Sequence, residues 1–348
     1  TPENVGRLVP RWTFQTGTLG NFETTSLLRD NVLYVTGPQN VAWAIDARTG
    51  RQIWRYRREL PTGLTACCGL VNRGFGVLGD KLFMVTLDAH VLALDARTGS
   101  VVWEAEMEEH SIGYAATIAP LVVKDKVIVG VAGGEFGIRG FIDAYNVETG
   151  ERVWRFYTVP APGEPGNETW AGDSWRTGGA SVWVTGAYDP ELNLLLYGIG
   201  NPGPDYFGEI REGDNLYSNS LVAPDADTGR LRWHDQCTPH DVHDWDATEG
   251  PILADLPIAG QTRRVVMFAN RNGFYYTLDA TTGRLIVAKP FVETTWAKEI
   301  GPDGRPVLLP GNVPSEEGSV TCPDLTGGTN FWPPSFDPST RTFFVNAR

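Results

Sequence analysis

Three oxygen-bearing side chains lie in unusual local surroundings and could together bind a hard cation. Glu135 lies in GVAGGEFGIRG, Asn201 in YGIGNPGP and Asp246 in HDVHDWDATEG. Glycines or prolines crowd the first two, so the backbone there departs from regular strand. Two carboxylates and an amide oxygen are a ligand set that suits Ca²⁺. Taken alone, these residues favour a simpler alternative, in which each caps a turn.

Two adjacent cysteines, Cys67 and Cys68 in LTACCGLVNRG, form a second unusual feature. A disulfide between neighbours encloses no residues, so it removes almost no chain entropy from the unfolded state. Such a ring must also distort the peptide between the two residues. The pair is therefore either two buried thiols or a stiff plate that serves a local purpose.

Two arginines and one tryptophan are further candidates for binding. Arg73 in VNRG and Arg271 in NRNGFYY each precede a turn that contains glycine, and each could bind an anion or cover the surface of the fold. Trp183 in GGASVWVTG is a candidate stacking surface, and core packing is the alternative.

Two other chemistries have weaker support. The segment GIGNPG matches the pattern G-x-G-x-x-G, but Pro202 and Pro204 forbid the helix that a dinucleotide site requires next. The segment HDQCTPHDVH (234–243) holds His234, His240 and His243, which suggests zinc. Pro239 breaks any helical register there and no H-E-x-x-H motif is present, so we disfavour zinc.

A repeated segment predicts the elements that position these residues. AIDARTGRQIW, ALDARTGSVVW, AYNVETGERVW, APDADTGRLRW and TLDATTGRLIV begin at residues 44, 93, 144, 223 and 277. Alternating apolar runs precede the copies and indicate half-buried strands, with D-x-x-T-G as the turn between the last two strands of each unit. The final Trp offers a flat surface for packing against the next unit.

Strand-rich repeats of ~40–50 residues are typical of propeller blades, whereas stacked helical repeats would need a 3.6-residue period that is absent. We therefore predict an all-β fold, a β-propeller. The five units and the segment GGTNFWPPSFDPSTRTFFVNAR correspond to about five and a half blades. We expect residues 1–348 to form a single, incomplete propeller domain of a longer chain, with poor activity on its own because the ring is open.

The composition restricts the partners. The net charge of −13 argues against nucleic acid, and an acidic surface could steer a basic partner. No apolar stretch approaches the length of a membrane span, and the sequence TPENVGRLVP does not read as a secretion signal.

In combination, the motifs ACCGLVNRG, GGEFGIRG, GNPGP, TPHD followed by W-D, and RNGFYYTLD resemble the pyrroloquinoline quinone (PQQ)-dependent alcohol dehydrogenases. These are the eight-bladed quinoproteins, and the resemblance runs along all 348 residues. It implies oxidation of an alcohol to an aldehyde or ketone, with electrons passed to a cytochrome or another non-NAD acceptor. The alternative is a non-catalytic quinone-repeat propeller that serves as a scaffold in bacterial envelope assembly.

The resemblance also implies roles for residues. Cys67 and Cys68 would form a disulfide against one face of the quinone, and Trp183 would cover the other face. Glu135, Asn201 and Asp246 would bind Ca²⁺, with Asp246 also acting as the general base and Asp244 as a lesser candidate for it. Arg271 would lie near the reactive quinone oxygens and Arg73 near a cofactor carboxylate. Weaker cofactor-contacting positions are Glu23, Thr117, Ser181 and Asn330. Ala132 stands where relatives often have a serine.

The same resemblance bears on the metal, the substrate and the compartment. Members that use lanthanides carry an additional Asp two residues after the catalytic one. The position two after Asp246 is Thr248, so the sequence predicts Ca²⁺. Primary alcohols, polyols and polyvinyl alcohol are all possible substrates, and the expected location is the bacterial periplasm or another secreted location. Cys237 is expected to be free and Cys322 to pair with a cysteine beyond Arg348.

Overall fold

The D-x-x-T-G repeat forms a turn that recurs in every four-stranded sheet of the computed structural model, which describes residues 3–348. In the first copy, one carboxylate oxygen of Asp46 accepts hydrogen bonds from the backbone N–H groups of Arg48 and Thr49, both at 2.9 Å. Gly50 closes the turn at a φ of 74°, a conformation that costs glycine nothing. The turn is therefore specified by contacts within five residues of chain.

Five antiparallel sheets, each with its four strands in sequential order, form the blades of a β-propeller. Blade 1 comprises β1 (Leu27–Arg29), β2 (Val32–Gly37), β3 (Val41–Asp46) and β4 (Gln52–Arg57). Blade 2 comprises β5 (Gly76–Leu78), β6 (Lys81–Val85), β7 (His90–Asp95) and β8 (Val101–Glu106). Blade 3 comprises β9 (Leu121–Val123), β10 (Lys126–Gly130), β11 (Phe141–Asn146) and β12 (Arg152–Tyr157).

Blade 4 comprises β13 (Ala187–Asp189), β14 (Leu194–Gly198), β15 (Ser220–Pro224) and β16 (Leu231–Gln236). Blade 5 comprises β17 (Ile252–Ile258), β18 (Gln261–Ala269), β19 (Phe274–Asp279) and β20 (Leu285–Pro290). Two hairpins follow, β21 (Ala297–Ile300) with β22 (Pro306–Leu308), and β23 (Ser335–Asp337) with β24 (Thr342–Phe344). The predicted all-β propeller is confirmed, and the blade count agrees with the expected five and a half.

Helix is confined to short 3₁₀ turns in the described residues 3–348. They are Val5–Arg7, Pro38–Asn40, His110–Ile112, Gly134–Phe136, Asn167–Thr169, Ser174–Thr177 and Gly208–Arg211. Within the same residues, no helix has the length and hydropathy that crossing a membrane requires.

Tryptophans join neighbouring blades as the repeat predicted. The indole N–H of Trp54 in blade 1 donates to the carbonyl of Ala96 in blade 2, at 2.9 Å. Its ring lies so close to Gly99 that a Cβ there would be 2.7 Å from the ring. The same hydrogen bond recurs from Trp103 to Val147 (3.0 Å), from Trp154 to Ala226 (3.3 Å) and from Trp233 to Ala280 (3.0 Å). The Thr-Gly turn of each blade thus provides the surface on which the tryptophan of the preceding blade packs.

The connections between strands fall on two faces of the propeller. Because the strands alternate in direction, the links between blades and the links between second and third strands emerge on the same face. The D-x-x-T-G turns lie on the opposite face. All candidate site residues belong to the first group, so the fold brings them to one face although they are far apart in sequence.

Candidate active site

A cavity of about 470 Å³ on this face gathers the predicted site residues. Among the residues that line it are Glu23, Cys67, Cys68, Arg73, Thr117, Glu135, Ser181, Trp183, Asp244, Asp246, Arg271 and Asn330. Asn201 lies directly behind the wall, where its backbone N–H donates to Asp246 at 2.8 Å. The cavity falls in the size range of small-molecule sites, ~300–1,000 Å³.

Cys67 and Cys68 are joined in a disulfide, which confirms the predicted pairing and excludes two buried thiols. Cys237 is free, as expected, and Cys322 is free within the described residues, so its predicted pairing beyond Arg348 stays a prediction. The two sulfurs lie within 4.8 Å of a carboxylate oxygen of Glu135. Sulfurs in a disulfide are not thiolates, so this group is not a sulfur metal site. The sulfurs instead present an apolar surface to the cavity.

Arg73 anchors one part of the cavity wall. Its guanidinium contacts Glu23 at 2.6 Å and donates to the hydroxyl of Thr117 at 2.6 Å. It also lies over the rings of Trp183 (4.6 Å) and Phe331 (5.5 Å). Burial lowers the pKa of Arg73 to about 10, and its Nε has no hydrogen-bond partner. A buried donor without a partner fits an anionic ligand.

Asp246 is held rigidly by two neighbours. One carboxylate oxygen accepts from the backbone N–H of Asn201 and the other from Nη1 of Arg271, at 2.5 Å. Gly200 makes this approach possible, because a Cβ there would lie 2.6 Å from the carboxylate of Asp246. Burial raises the pKa of Asp246, and the charge of Arg271 opposes the shift. Gly200 of GIGNPG therefore serves this contact rather than a dinucleotide.

Asp244 lies beside Asp246 and is held more loosely. Its carboxylate is 3.7 Å from Nη2 of Arg271 and 22% exposed, against 8% for the side chain of Asp246. Burial, and then the charge of Asp246, raises the pKa of Asp244 to about 8. Its φ of 62° is uncommon for a residue with a side chain, and such backbone is concentrated at functional sites.

Two more carboxylates complete an acidic cluster. Burial raises the pKa of Glu135 to about 7 and also raises that of Asp205. Asp205 accepts from the side-chain amide of Asn201 at 2.7 Å. Glu135, Asp205, Asp244 and Asp246 thus share one cavity with Arg271, and the same cavity also holds the ion pair of Glu23 and Arg73. The excess of negative charge and the all-oxygen donors suit a hard cation.

The histidines do not form a metal site. His240 contacts the carbonyl of Gly213, His243 contacts the carbonyl of Asn312, and His234 packs on Tyr217. In the described part of the chain, no histidine belongs to a group of possible metal ligands.

Sequence reasoning missed several wall residues, among them one acid, and a further buried acid outside the wall. Asp205, Leu325 and Phe331 line the cavity, and Asp205 could have been found from its place four residues after Asn201. Leu325 and Phe331 carry no local signal, since nonpolar residues are common in any loop. Glu249 is 2% exposed, and neither of its carboxylate oxygens has a hydrogen-bond partner.

Replacing Glu249 by Gln is expected to increase the free energy of unfolding at pH 8 by roughly 1–3 kcal/mol. Burial raises the pKa of Glu249 well above its ordinary 4.5, so the folded state binds this proton more tightly than the unfolded state does. The free energy of unfolding of the protein with Glu249 therefore falls as the pH rises above about 4.5. The gain from E249Q should shrink toward pH 5.

Urea denaturation of E249Q at pH 5 and pH 8 measures this effect. Glu316→Gln, at an exposed glutamate, is the matched control and should change stability by less than about 0.5 kcal/mol. A gain that is the same at both pH values would show that Glu249 is not a buried titrating acid.

The blades and the cavity define a β-propeller with a cofactor-sized site at one face. The chain matches the family model described as PQQ: Glucose/ethanol/alcohol dehydrogenase, beta-propeller domain, over residues 1–298. This chain belongs to that family of PQQ-dependent dehydrogenases. The resemblance drawn from the motifs is therefore confirmed.

Individual relatives support the same assignment. Quinoprotein alcohol dehydrogenase PedH of Pseudomonas putida is 40% identical, covering 98% of this chain and 62% of the relative. A lanthanide-dependent methanol dehydrogenase of Methylacidiphilum fumariolicum is 39% identical, covering 99% of this chain and 60% of the relative. The solved europium-containing methanol dehydrogenase has a TM-score of 0.94 at 39% identity, covering 99% of this chain and 64% of that one. The chain thus spans about three-fifths of the length of these relatives.

Proposed function

We propose that this protein oxidises an alcohol to an aldehyde or ketone with PQQ as the cofactor. The observation that carries the proposal is that the carboxylates of Asp244 and Asp246 both lie within ion-pair distance of Arg271. All three line the same cavity as the Cys67–Cys68 disulfide and Trp183. A non-catalytic scaffold has no need of buried carboxylates clustered in a cavity, because each one costs stability.

The residues present fit a flat, anionic cofactor. The disulfide and the ring of Trp183 offer apolar surfaces, and Arg73 offers a buried donor without a partner. Thr117, Ser181 and Asn330 add hydroxyl and amide groups to the wall for the cofactor's polar edge, and Glu23 fixes Arg73. When bound, PQQ supplies the acceptor for the hydride that leaves the alcohol carbon.

We propose Asp244, rather than Asp246, as the general base. Both oxygens of Asp246 already accept a hydrogen bond, from Asn201 and from Arg271. The charge of Arg271 lowers the proton affinity of this carboxylate, while each oxygen keeps a second lone pair for a cation. No side-chain hydrogen bond restrains Asp244 at comparable distance, so its carboxylate is available to take the proton of the alcohol hydroxyl. Arg271 holds Asp246 in place and provides positive charge where negative charge develops on oxygen. Asp246 then serves with Glu135 and Asn201 as a cation ligand.

This assignment changes the expected metal. The prediction of Ca²⁺ took Asp246 as the base and Thr248 as the residue two positions on. With Asp244 as the base, the residue two positions further along the chain is Asp246. Two aspartates at this spacing are the acidic pair that the family resemblance associates with lanthanides. Thr248 is buried and does not line the cavity. We therefore propose a trivalent lanthanide ion, with Ca²⁺ as the alternative.

Binding of PQQ tests the proposed function directly. Titration of the purified protein with PQQ, in the presence of La³⁺ or Ca²⁺, should quench tryptophan fluorescence and support slow dye-linked oxidation of alcohols. The double variant Cys67→Ser/Cys68→Ser is expected to bind PQQ about tenfold more weakly, because a flat wall is replaced by two mobile polar side chains. Its melting temperature should change little, since the disulfide closes no loop.

Cys322→Ser, at a free cysteine, is the matched control for that experiment. Its affinity for PQQ should equal that of the unaltered protein. Absence of PQQ binding with either metal ion would overturn the proposed function.

The electron acceptor and the compartment are also proposals. We propose that electrons pass to a cytochrome, because a similar protein from Comamonas testosteroni is named a quinohemoprotein alcohol dehydrogenase. The net charge of −13 would favour a basic acceptor. We place the protein in the periplasm, because a disulfide persists in an oxidising compartment.

A further inference from the structure

A fully buried arginine lies behind the acidic part of the cavity and does not line it. Arg211 ends the short 3₁₀ turn Gly208–Arg211, in the connection between β14 and β15 of blade 4, and is 0% exposed. Within the described residues 3–348, its guanidinium forms no ion pair with a carboxylate, and burial lowers the pKa of Arg211 to about 10. A charge buried in this way costs stability, so the groups that the guanidinium contacts are informative.

The guanidinium of Arg211 joins two connections that carry site residues. Its Nε and Nη2 donate to the carbonyl of Pro204 at 3.1 and 3.0 Å, and Nη2 also donates to the carbonyl of Asp205 at 3.2 Å. The same Nη2 donates to the carbonyl of Asp241 at 2.5 Å. Pro204 and Asp205 lie between β14 and β15, whereas Asp241 lies between β16 and β17. One side chain therefore holds the two connections at a fixed separation.

On the blade 4 side, these contacts lead to Asn201. The carboxylate of Asp205 accepts from the side-chain amide nitrogen of Asn201 at 2.7 Å, so the orientation of that amide depends on where Asp205 is held. Because the nitrogen is engaged in this bond, the amide oxygen is the atom left for a cation. Arg211 thus fixes the backbone of one cavity acid and, through it, the side chain of a proposed cation ligand.

On the other side, the contacts lead to the segment that carries Asp244 and Asp246. One carboxylate oxygen of Asp241 accepts from the backbone N–H of His243 at 3.0 Å, and the other accepts from that of Trp245 at 2.8 Å. These two N–H groups belong to the residues directly before Asp244 and Asp246. Asp241 therefore shapes the segment that presents both aspartates, and its own carbonyl is the group that Arg211 binds.

We infer that Arg211 is a positioning residue that sets the separation of the cation ligands on the two connections. The inference rests on the part of the proposed function that makes Asn201 and Asp246 ligands of one cation. A planar guanidinium donates to several carbonyls in one fixed geometry, which an ammonium on a flexible stem does not reproduce. Ligands that are held apart correctly before the cation arrives need less rearrangement when it binds.

Arg211→Lys tests the inference with the charge retained, and Arg155→Lys is the matched control. Arg155 is also buried, with its side chain 8% exposed, and it binds Asp143 and the carbonyl of Met107 without lining the cavity. We expect both substitutions to lower the melting temperature of the metal-free protein. Affinity for Tb³⁺, measured by tryptophan-sensitised luminescence at a temperature where each variant is folded, should fall by about tenfold or more in R211K and by less than about twofold in R155K.

The number of water molecules on bound Tb³⁺ distinguishes a displaced ligand from a general loss of stability. Luminescence lifetimes in H₂O and D₂O give this number, which should rise by about one in R211K, because a ligand on one connection no longer reaches the ion. It should be unchanged in R155K. Arg211→Gln, whose amide is too short to donate to both connections, is a second variant and should show the same changes as R211K.

Three results would contradict the inference or the function on which it rests. Unchanged Tb³⁺ affinity and hydration in folded R211K and R211Q would leave Arg211 a structural residue and overturn the inference alone. An equal loss of affinity in R155K would also overturn it, because destabilisation anywhere would then suffice. Binding of Tb³⁺ to the unaltered protein, lost in R211K, together with no binding of PQQ, would support the inference and overturn the proposed function.

Discussion

Asp244→Asn should lower kcat for alcohol oxidation by ~10²–10⁴-fold at saturating metal and PQQ, the usual contribution of a positioned general base. Asparagine keeps the shape of the side chain but cannot accept a proton. Metal affinity should fall by no more than about fivefold, because the partly exposed Asp244 carboxylate interacts through a higher dielectric than the buried Asp246.

Asp246→Asn is the partner variant, and it should show the reverse pattern. Its carboxylate is fixed by Asn201 and Arg271, so we expect metal affinity to fall by about 10–100-fold. Tryptophan-sensitised terbium luminescence measures the affinity, and dye-linked turnover at saturating metal measures kcat. If Asp246→Asn retains metal affinity and loses turnover while Asp244→Asn retains turnover, Asp246 is the base, as the sequence alone ranked it.

The second expected result is a preference for trivalent over divalent cations. Five carboxylates and two guanidiniums line the cavity, which leaves an excess of negative charge at Glu135, Asp205, Asp244 and Asp246. A trivalent ion of calcium-like size gains more from this charge, so La³⁺ should bind at least about tenfold more tightly than Ca²⁺. Competition of each ion against terbium measures the ratio.

Removal of one carboxylate should reduce the ratio of La³⁺ affinity to Ca²⁺ affinity. Asp205→Asn is expected to weaken La³⁺ more than Ca²⁺, because the energy lost scales with the charge of the ion. Asp173→Asn, whose side chain is 80% exposed, removes the same charge elsewhere and should leave the ratio unchanged. Equal affinity for the two ions, or tighter binding of Ca²⁺, would restore the calcium assignment.

The blades could be predicted from the sequence because their specifying contacts are short-range or repeated. The Asp46 turn needs only hydrogen bonds to residues two and three further on, and every copy repeats it. The Trp54 ring needs only a glycine in the next copy, which the repeat supplies at Gly99. The adjacent cysteines by themselves left the disulfide open, and the family resemblance implied it.

The roles within the site depended on tertiary structure. Asp244 and Asp246 are two residues apart in an irregular link between blades 4 and 5, where neither helical nor strand periodicity says which side chain faces which partner. Only the folded chain shows that Asp246 is already bound by Asn201 and Arg271, which come from two other connections.

The same holds for the wall of the cavity. The motifs predicted many of the residues that line it, since the family resemblance marked them one by one. Leu325 could not be found in this way, because a nonpolar residue in a loop becomes part of a cavity wall only when distant segments close around it. Sequence by itself thus determined the repeated, locally bonded blades and the identity of the cofactor-binding family. Tertiary structure showed which carboxylate is already bound by Asn201 and Arg271, because those contacts join residues far apart in the chain.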